Sequence, residues 1–167
     1  MDEMLEQFAG ECHRILKADP GPAGRERVAG LLRDVLTDSG FVATHLGSGT
    51  PERKLLYEDK ELGFCILAHR YEGARESGPH DHGPSWAIYG QASGETEMTE
   101  WEVVEAASVE KAGKARKVKT YPLRPGMSQL YNEGQLHSPK RAGPTSLIRI
   151  EGVNMDGVSR LAYEPES

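Results

Sequence analysis

Two histidines separated by one residue, in Pro79-His80-Asp81-His82-Gly83, are the local feature best equipped for chemistry. On extended backbone, side chains two apart point to the same side, so His80 and His82 project together while Asp81 points away. Two imidazoles so placed can reach one metal ion. A third nitrogen can come from His137, in Gly134-Gln135-Leu136-His137-Ser138, a strand-like segment beside a glycine turn. Residues about 55 apart in sequence face each other if the sheet closes on itself. Three neutral imidazoles on one side of a metal leave its other positions open for substrate and oxygen. The other histidines, His13, His45 and His69, have no comparable arrangement and read as surface or hydrogen-bonded side chains.

The elements that must position these residues fall into two groups. Met4, Leu5, Phe8, Cys12, Ile15 and Leu16 recur at helical spacing and make one apolar face. Ala18-Asp19-Pro20-Gly21-Pro22 interrupts that pattern. A second helix begins at about Arg25, turns Val28, Leu31, Leu32, Val35 and Leu36 inward, and stops at Ser39-Gly40. From Phe41 the pattern becomes strand-like: 41–46, 53–59 and 63–71 read as successive strands, the last apolar enough to be central. Two strands follow around a turn at 91–94, then a basic insert, Lys111 to Lys119, expected to be a solvated hairpin or loop. Residues 157–165 are a possible last strand. Glycine and proline punctuate the chain from residue 71 onward in the rhythm of a sandwich or barrel. The expected fold class is mainly β (α+β), with residues 1–40 as two helices packed on a barrel formed by 41–167, all in one domain.

Composition sets the limits. With 167 residues, of which 37% are hydrophobic and 28% charged, the chain is long enough to bury one core and polar enough to dissolve. Twenty Lys and Arg against 26 Asp and Glu leave a formal charge of −6, which argues against a nucleic-acid partner. No run approaches the roughly 20 apolar residues of a membrane helix, and the acidic start is unlike a signal peptide. A cytoplasmic protein, monomeric or homodimeric, is the expectation. Cys12 and Cys65 have no metal-ligand spacing and read as small buried hydrophobes.

The chain resembles the cupins, and within them the thiol dioxygenases: cysteine dioxygenase and its bacterial 3-mercaptopropionate relatives. The likeness covers most of the chain and is sharpest from Arg53 to Gly152. His80 through Gly94 matches the family's first motif, and Gly134 to Pro139 matches the second, which places the third ligand on His137. Ordinary cupins carry a glutamate ligand after the histidine pair. Here Gly83-Pro84-Ser85-Trp86-Ala87 holds no carboxylate, as in the three-histidine subset. The resemblance implies a cupin double-stranded β-helix (jelly-roll) barrel and Fe(II) held by His80, His82 and His137. Zn, Ni or Mn remain possible on the ligand set. It also implies a small-molecule substrate and O2 as partners, with both oxygen atoms added to a thiol sulfur to give a sulfinate. Arg53 falls where family members keep an arginine for the substrate carboxylate, a suitable fork for that anion.

The departures from the family pattern lie in Thr145–Gly152. Members use a Ser-His-Tyr relay beside the metal; here those positions read Leu147, Arg149 and Glu151. If both charged residues point inward they can form an ion pair near the metal, with Arg149 binding a substrate anion and Glu151 acting as a base. Trp86, Tyr89 and Tyr131 are candidate cavity-lining, substrate-binding aromatics. Two alternatives stand beside the thiol reading: a three-histidine oxygenase acting on a β-diketone-like chelating substrate, and a non-catalytic metal- or ligand-binding cupin.

Overall fold

Caps and breakers set the start of the chain. In the computed structural model, which describes residues 2–167, α1 (Glu3–Ala18) starts at Asp2, whose carboxylate accepts the Leu5 N–H at 2.8 Å. Helix α2 (Pro22–Leu36) begins on Pro22, where the missing N–H and preset φ suit a first helical turn. A third helix, α3 (Ser39–Leu46), occupies the segment expected to be the first strand. Phe41, Val42 and Thr44 favour a strand, but Asp38 caps the Phe41 N–H at 2.9 Å and starts a helix instead. Phe41 and Leu46 then bury against the preceding helices. The helical lead-in therefore ends at Leu46, and α2 ends at Leu36 instead of Ser39-Gly40. No helix among the described residues is long and apolar enough to cross a membrane.

Ten strands follow: β1 (Lys54–Glu58), β2 (Cys65–Tyr71), β3 (Arg75–Glu76), β4 (Ala87–Ser93), β5 (Thr96–Glu105), β6 (Gly113–Leu123), β7 (Ser128–Tyr131), β8 (Leu136–Arg141), β9 (Thr145–Glu151) and β10 (Tyr163–Pro165). They form two five-stranded sheets, ordered β1-β2-β9-β4-β7 and β10-β6-β5-β8-β3. Every pairing is antiparallel except β10 with β6. The chain passes repeatedly from one sheet to the other, so neighbours within a sheet are distant in sequence. This is the jelly-roll, double-stranded β-helix arrangement, and the mainly β class expected of the sequence is the one observed.

The basic insert takes the hairpin form of the two expected, as the return arm of the β5–β6 pair, with most of its residues exposed. Most of it lies in β6, with Lys117 opposite Trp101 and Lys119 opposite Glu100 on β5. Arg116 donates to Glu102 at 2.9 Å, so the basic run faces an acidic strand whose charges it offsets. Between β4 and β5, Gly94 has φ +68° and lies so close to Pro144 O that a Cβ would meet it at 2.3 Å. Only glycine fits that turn.

The β4 and β9 strands have two buried faces. Outward, Ile88, Ile148 and Ile150 join Ile66, Ala68 and Leu130 beneath the helices. Inward, Ala87, Tyr89 and Leu147 meet Met98 and Leu123 of the second sheet. Both strands consequently read as nearly continuous buried runs, and their inward alternates reach the barrel interior.

Candidate metal centre

His80 and His82 lie in the extended segment between β3 and β4, while His137 is the second residue of β8. Backbone pairing brings them together. His80 N–H donates to His137 O at 3.0 Å, and His137 N–H donates to His80 O at 2.8 Å. Asp81 points away and accepts the Gly83 N–H at 2.8 Å, holding the turn that follows. His82 and His137 are buried, and their rings stack with centroids 4.9 Å apart. One nitrogen from each of the three side chains lies within 4.8 Å of the others.

The outward nitrogens decide what the inward ones can do. His80 Nδ1 lies 2.9 Å from Gly78 O, His137 Nδ1 2.9 Å from Gln135 O, and His82 Nδ1 3.0 Å from Glu151 Oε2. A carbonyl only accepts, so the first two Nδ1 atoms carry protons, and the Glu151 carboxylate assigns the third in the same way. Burial holds all three rings neutral: His80 is pushed down to about 4, His82 to about 2, and His137 well below its ordinary value. The Nε2 atoms are therefore bare lone pairs. Those of His82 and His137 face each other at 3.0 Å, an unfavourable approach unless a cation or donor lies between them. With metal–nitrogen bonds of about 2.1 Å, two ligands at a right angle stand about 3.0 Å apart, so the donor set fits a divalent transition metal.

The Tyr89 hydroxyl is placed on the same point, 3.1 Å from His82 Nε2 and 3.3 Å from His137 Nε2. Desolvation holds that phenol in its neutral form by raising its pKa. Tyr131 is fully buried and stacks on His137 at 4.2 Å between centroids, with its hydroxyl 2.6 Å from that of Tyr121. It backs the ligand ring and does not line the cavity. Trp86 is on the other side of the sheet: it joins the helix-facing core, beneath the Arg25 guanidinium. Ala87 and Tyr89 face inward, so strand alternation places Trp86 with Ile88 on the helix-facing side. Arg53 is exposed, donates to Asn154 at 3.1 Å, and is absent from the cavity wall.

Arg149 and Glu151 do turn inward on β9, but not toward each other. Glu151 is 2% exposed and bonds His82, whereas Arg149 lies over the Tyr89 ring with its Cζ 4.6 Å from the centroid. The expected ion pair between them is replaced by these two separate contacts. A cavity of about 560 Å³ opens beside the centre, with His80, Tyr89, Arg149, Arg141, Tyr71 and Arg160 in its wall. Arg141, Tyr71 and the buried His69 are interior residues that the sequence reading missed. Their signal was available: Arg141 stands four residues after His137 in one strand, an even spacing that gives both the same face.

No protein-family model matches the chain. Among curated proteins, an 86-residue alignment is 36% identical to the chaperone protein HtpG of Shewanella amazonensis, spanning 47% of this chain and 12% of that protein. The chain thus spans about an eighth of the curated relative it matches. Similar solved structures include KdgF from Halomonas sp., at 15% identity and TM-score 0.44, covering 59% of this chain and 74% of that one. The cupin domain of Schizosaccharomyces pombe Cnp3 is 12% identical with TM-score 0.46, covering 63% and 62% respectively. A Klebsiella pneumoniae protein with a double-stranded β-helix domain is 17% identical with TM-score 0.44, covering 62% and 73%.

Proposed function

We propose that the protein is a cupin-type mononuclear iron dioxygenase, with His80, His82 and His137 holding Fe(II) and a small thiol as substrate. The observation that carries the metal is the set of three outward Nδ1 contacts, which leaves three neutral Nε2 lone pairs directed inward. The thiol rests on the likeness of His80–Gly94 and Gly134–Pro139 to the thiol dioxygenase motifs. When bound there, Fe(II) would supply positions for a thiolate and O2, and the overall reaction adds both oxygen atoms to sulfur to give a sulfinate.

The chain's own residues supply orientation and exclusion of water. Gly78 O, Gln135 O and the Glu151 carboxylate fix the three rings, and the carboxylate makes His82 the most electron-rich of them. The Tyr89 hydroxyl is positioned to donate to an atom held beside the Nε2 pair, a place the family fills from β9. Tyr131 and Leu147 close the barrel behind His137 against solvent. A chelating, enolisable oxygen substrate is the second reading. It is favoured by Glu151, a buried carboxylate in place of the relay tyrosine.

Anaerobic loading with Fe(II), followed by O2 uptake with cysteine, 3-mercaptopropionate, cysteamine and a β-diketone, separates these readings. Uptake with a thiol and sulfinate formed in step is the expected result, with His80→Ala as the blank. Uptake only with the diketone selects the second reading. Silence from all four with iron bound removes the oxygenase reading in favour of a binding role.

A further inference from the structure

The interior of the barrel holds more positive charge than its own side chains can balance. Arg141 is 4% exposed, and Arg149 lies on the next inward face, yet neither has a carboxylate within ion-pair distance among the described residues. Glu151, the buried carboxylate nearest in sequence to Arg149, has its Oε2 on His82. Arg75, at the cavity rim, is already paired with Glu52. A buried guanidinium without an anion is costly, and proteins keep one mainly where a partner arrives.

The two side chains are held in a way that leaves their donors free. Arg149 stacks on Tyr89, and Arg141 stacks on Tyr71 with its Cζ 4.8 Å from the ring centroid. Stacking fixes each guanidinium plane and presents its N–H edge sideways. Arg141 Nε donates to Thr96 Oγ1 at 3.2 Å, but its Nη2 is buried with no acceptor, and so is Arg149 Nε. Both residues, with Tyr71 and Tyr89, are in the wall of the 560 Å³ cavity that also exposes His80.

We propose that Arg149 and Arg141 together form the anion-recognition site for a carboxylate on the substrate, which is therefore a small acid whose other end reaches the three histidines. The proposal rests on the iron-oxygenase reading for what happens at that other end, but not for the recognition of the anion. It moves carboxylate recognition from Arg53, which is exposed and bound to Asn154, to the barrel interior.

Calorimetric titration of the purified protein with 3-mercaptopropionate, its neutral amide and inorganic phosphate tests the site, with iron content measured in parallel. The acid binds at least tenfold more tightly than the amide, and more tightly than phosphate. Arg149→Gln brings the acid to the level of the amide, and Arg149→Lys gives an intermediate loss because the ammonium keeps charge without the fork. Arg141→Gln weakens the acid likewise; if it fails to fold, the two Arg149 variants still decide. Equal affinity for acid and amide, unchanged discrimination in Arg149→Gln, tightest binding of phosphate, or loss of discrimination in Arg53→Gln each overturns the proposal. A wild-type protein that discriminates acid from amide but takes up no iron refutes the oxygenase reading and leaves the anion site standing.

Discussion

Removing the Glu151 carboxylate weakens metal binding by an amount that the geometry allows to be split into two parts. The carboxylate is 2% exposed and lies 3.0 Å from His82 Nδ1, so it acts in a low dielectric, unscreened by water. It fixes the tautomer and rotation of His82, and its charge raises the donor strength of Nε2. Removal of such an outer partner costs roughly 10–100-fold in metal affinity, or about 1.4–2.8 kcal/mol. Glu151→Gln keeps an acceptor for the Nδ1–H and removes only the charge, so it falls at the tenfold end. Glu151→Leu removes both and strands the Nδ1–H in the interior, so it falls near a hundredfold. The assay is competition between the protein and a chromogenic chelator for Co(II) under anaerobic conditions, with circular dichroism to verify the fold. Affinity of the folded Leu variant within twofold of wild type refutes the argument that Glu151 governs the centre through His82.

Other expectations test the centre, the core and the acid limit. His137→Ala lowers bound iron at least a hundredfold with the sheets intact, and full metal retention by atomic absorption removes His137 from the centre. A Cβ at Gly90 would stand 2.5 Å from Leu32 Cδ2, so Gly90→Ala overpacks the β4–α2 contact. The cost of about 1–3 kcal/mol lowers Tm by several °C while metal binding is kept, whereas an unchanged Tm contradicts the packing. Asp59 has a lowered pKa even though its burial opposes the charge, because the Leu62 N–H at 2.7 Å, His13 Nδ1 at 2.7 Å and the Tyr57 hydroxyl at 2.9 Å favour the carboxylate. A depressed folded pKa stabilises above the unfolded value of about 4 and loses that stability as pH falls through the folded one. Thermal melts should show Asp59→Ala destabilised at pH 7, with the gap to wild type narrowing as pH falls below the ordinary aspartate range. A gap independent of pH contradicts the assignment.

The sequence was most informative where one period governs and least where tertiary contacts choose. The three histidines were legible because the His-x-His spacing and a strand-borne partner leave few geometries in which all face one point. The inward direction of Arg149 and Glu151 followed from alternation along β9. Their partners did not, because alternation gives a face and not a neighbour. Glu151 met His82, which arrives from a segment 69 residues away in sequence. Trp86 and Tyr89 stand three residues apart in extended backbone, so alternation sends them to opposite faces and only Tyr89 reaches the barrel interior. Helix α3 carries strand-favouring Phe41, Val42 and Thr44, and its helical start depends on one capping side chain, Asp38, which outweighs those preferences.

Two separate cores explain why this barrel can hold so much chemistry. The cluster between the helices and the outer face of the first sheet contains twenty buried residues from α1, α2, α3 and the strands beneath them. The cluster inside the barrel has only six: Ala87, Tyr89, Met98, Leu123, Tyr131 and Leu147. Beside it stand Cys65 and Leu67, opposite Glu151 and Arg149, and a set of buried histidine, arginine, glutamate, threonine and glutamine side chains. A sandwich relying on its interior for apolar burial could not keep two guanidiniums, a carboxylate and four imidazoles there. The helices relieve that requirement by covering the far side of β2, β9 and β4, so stability is concentrated outside the barrel and polarity is tolerated within it. Substitutions at Arg149 or Glu151 should consequently alter ligand and metal affinity far more than Tm, whereas Leu32→Ala or Ile148→Ala should do the reverse by about 2–5 kcal/mol. A folded protein whose Tm falls as far for Arg149→Gln as for Ile148→Ala would show that the interior charges are structural, and the anion site argued from them would lose its basis.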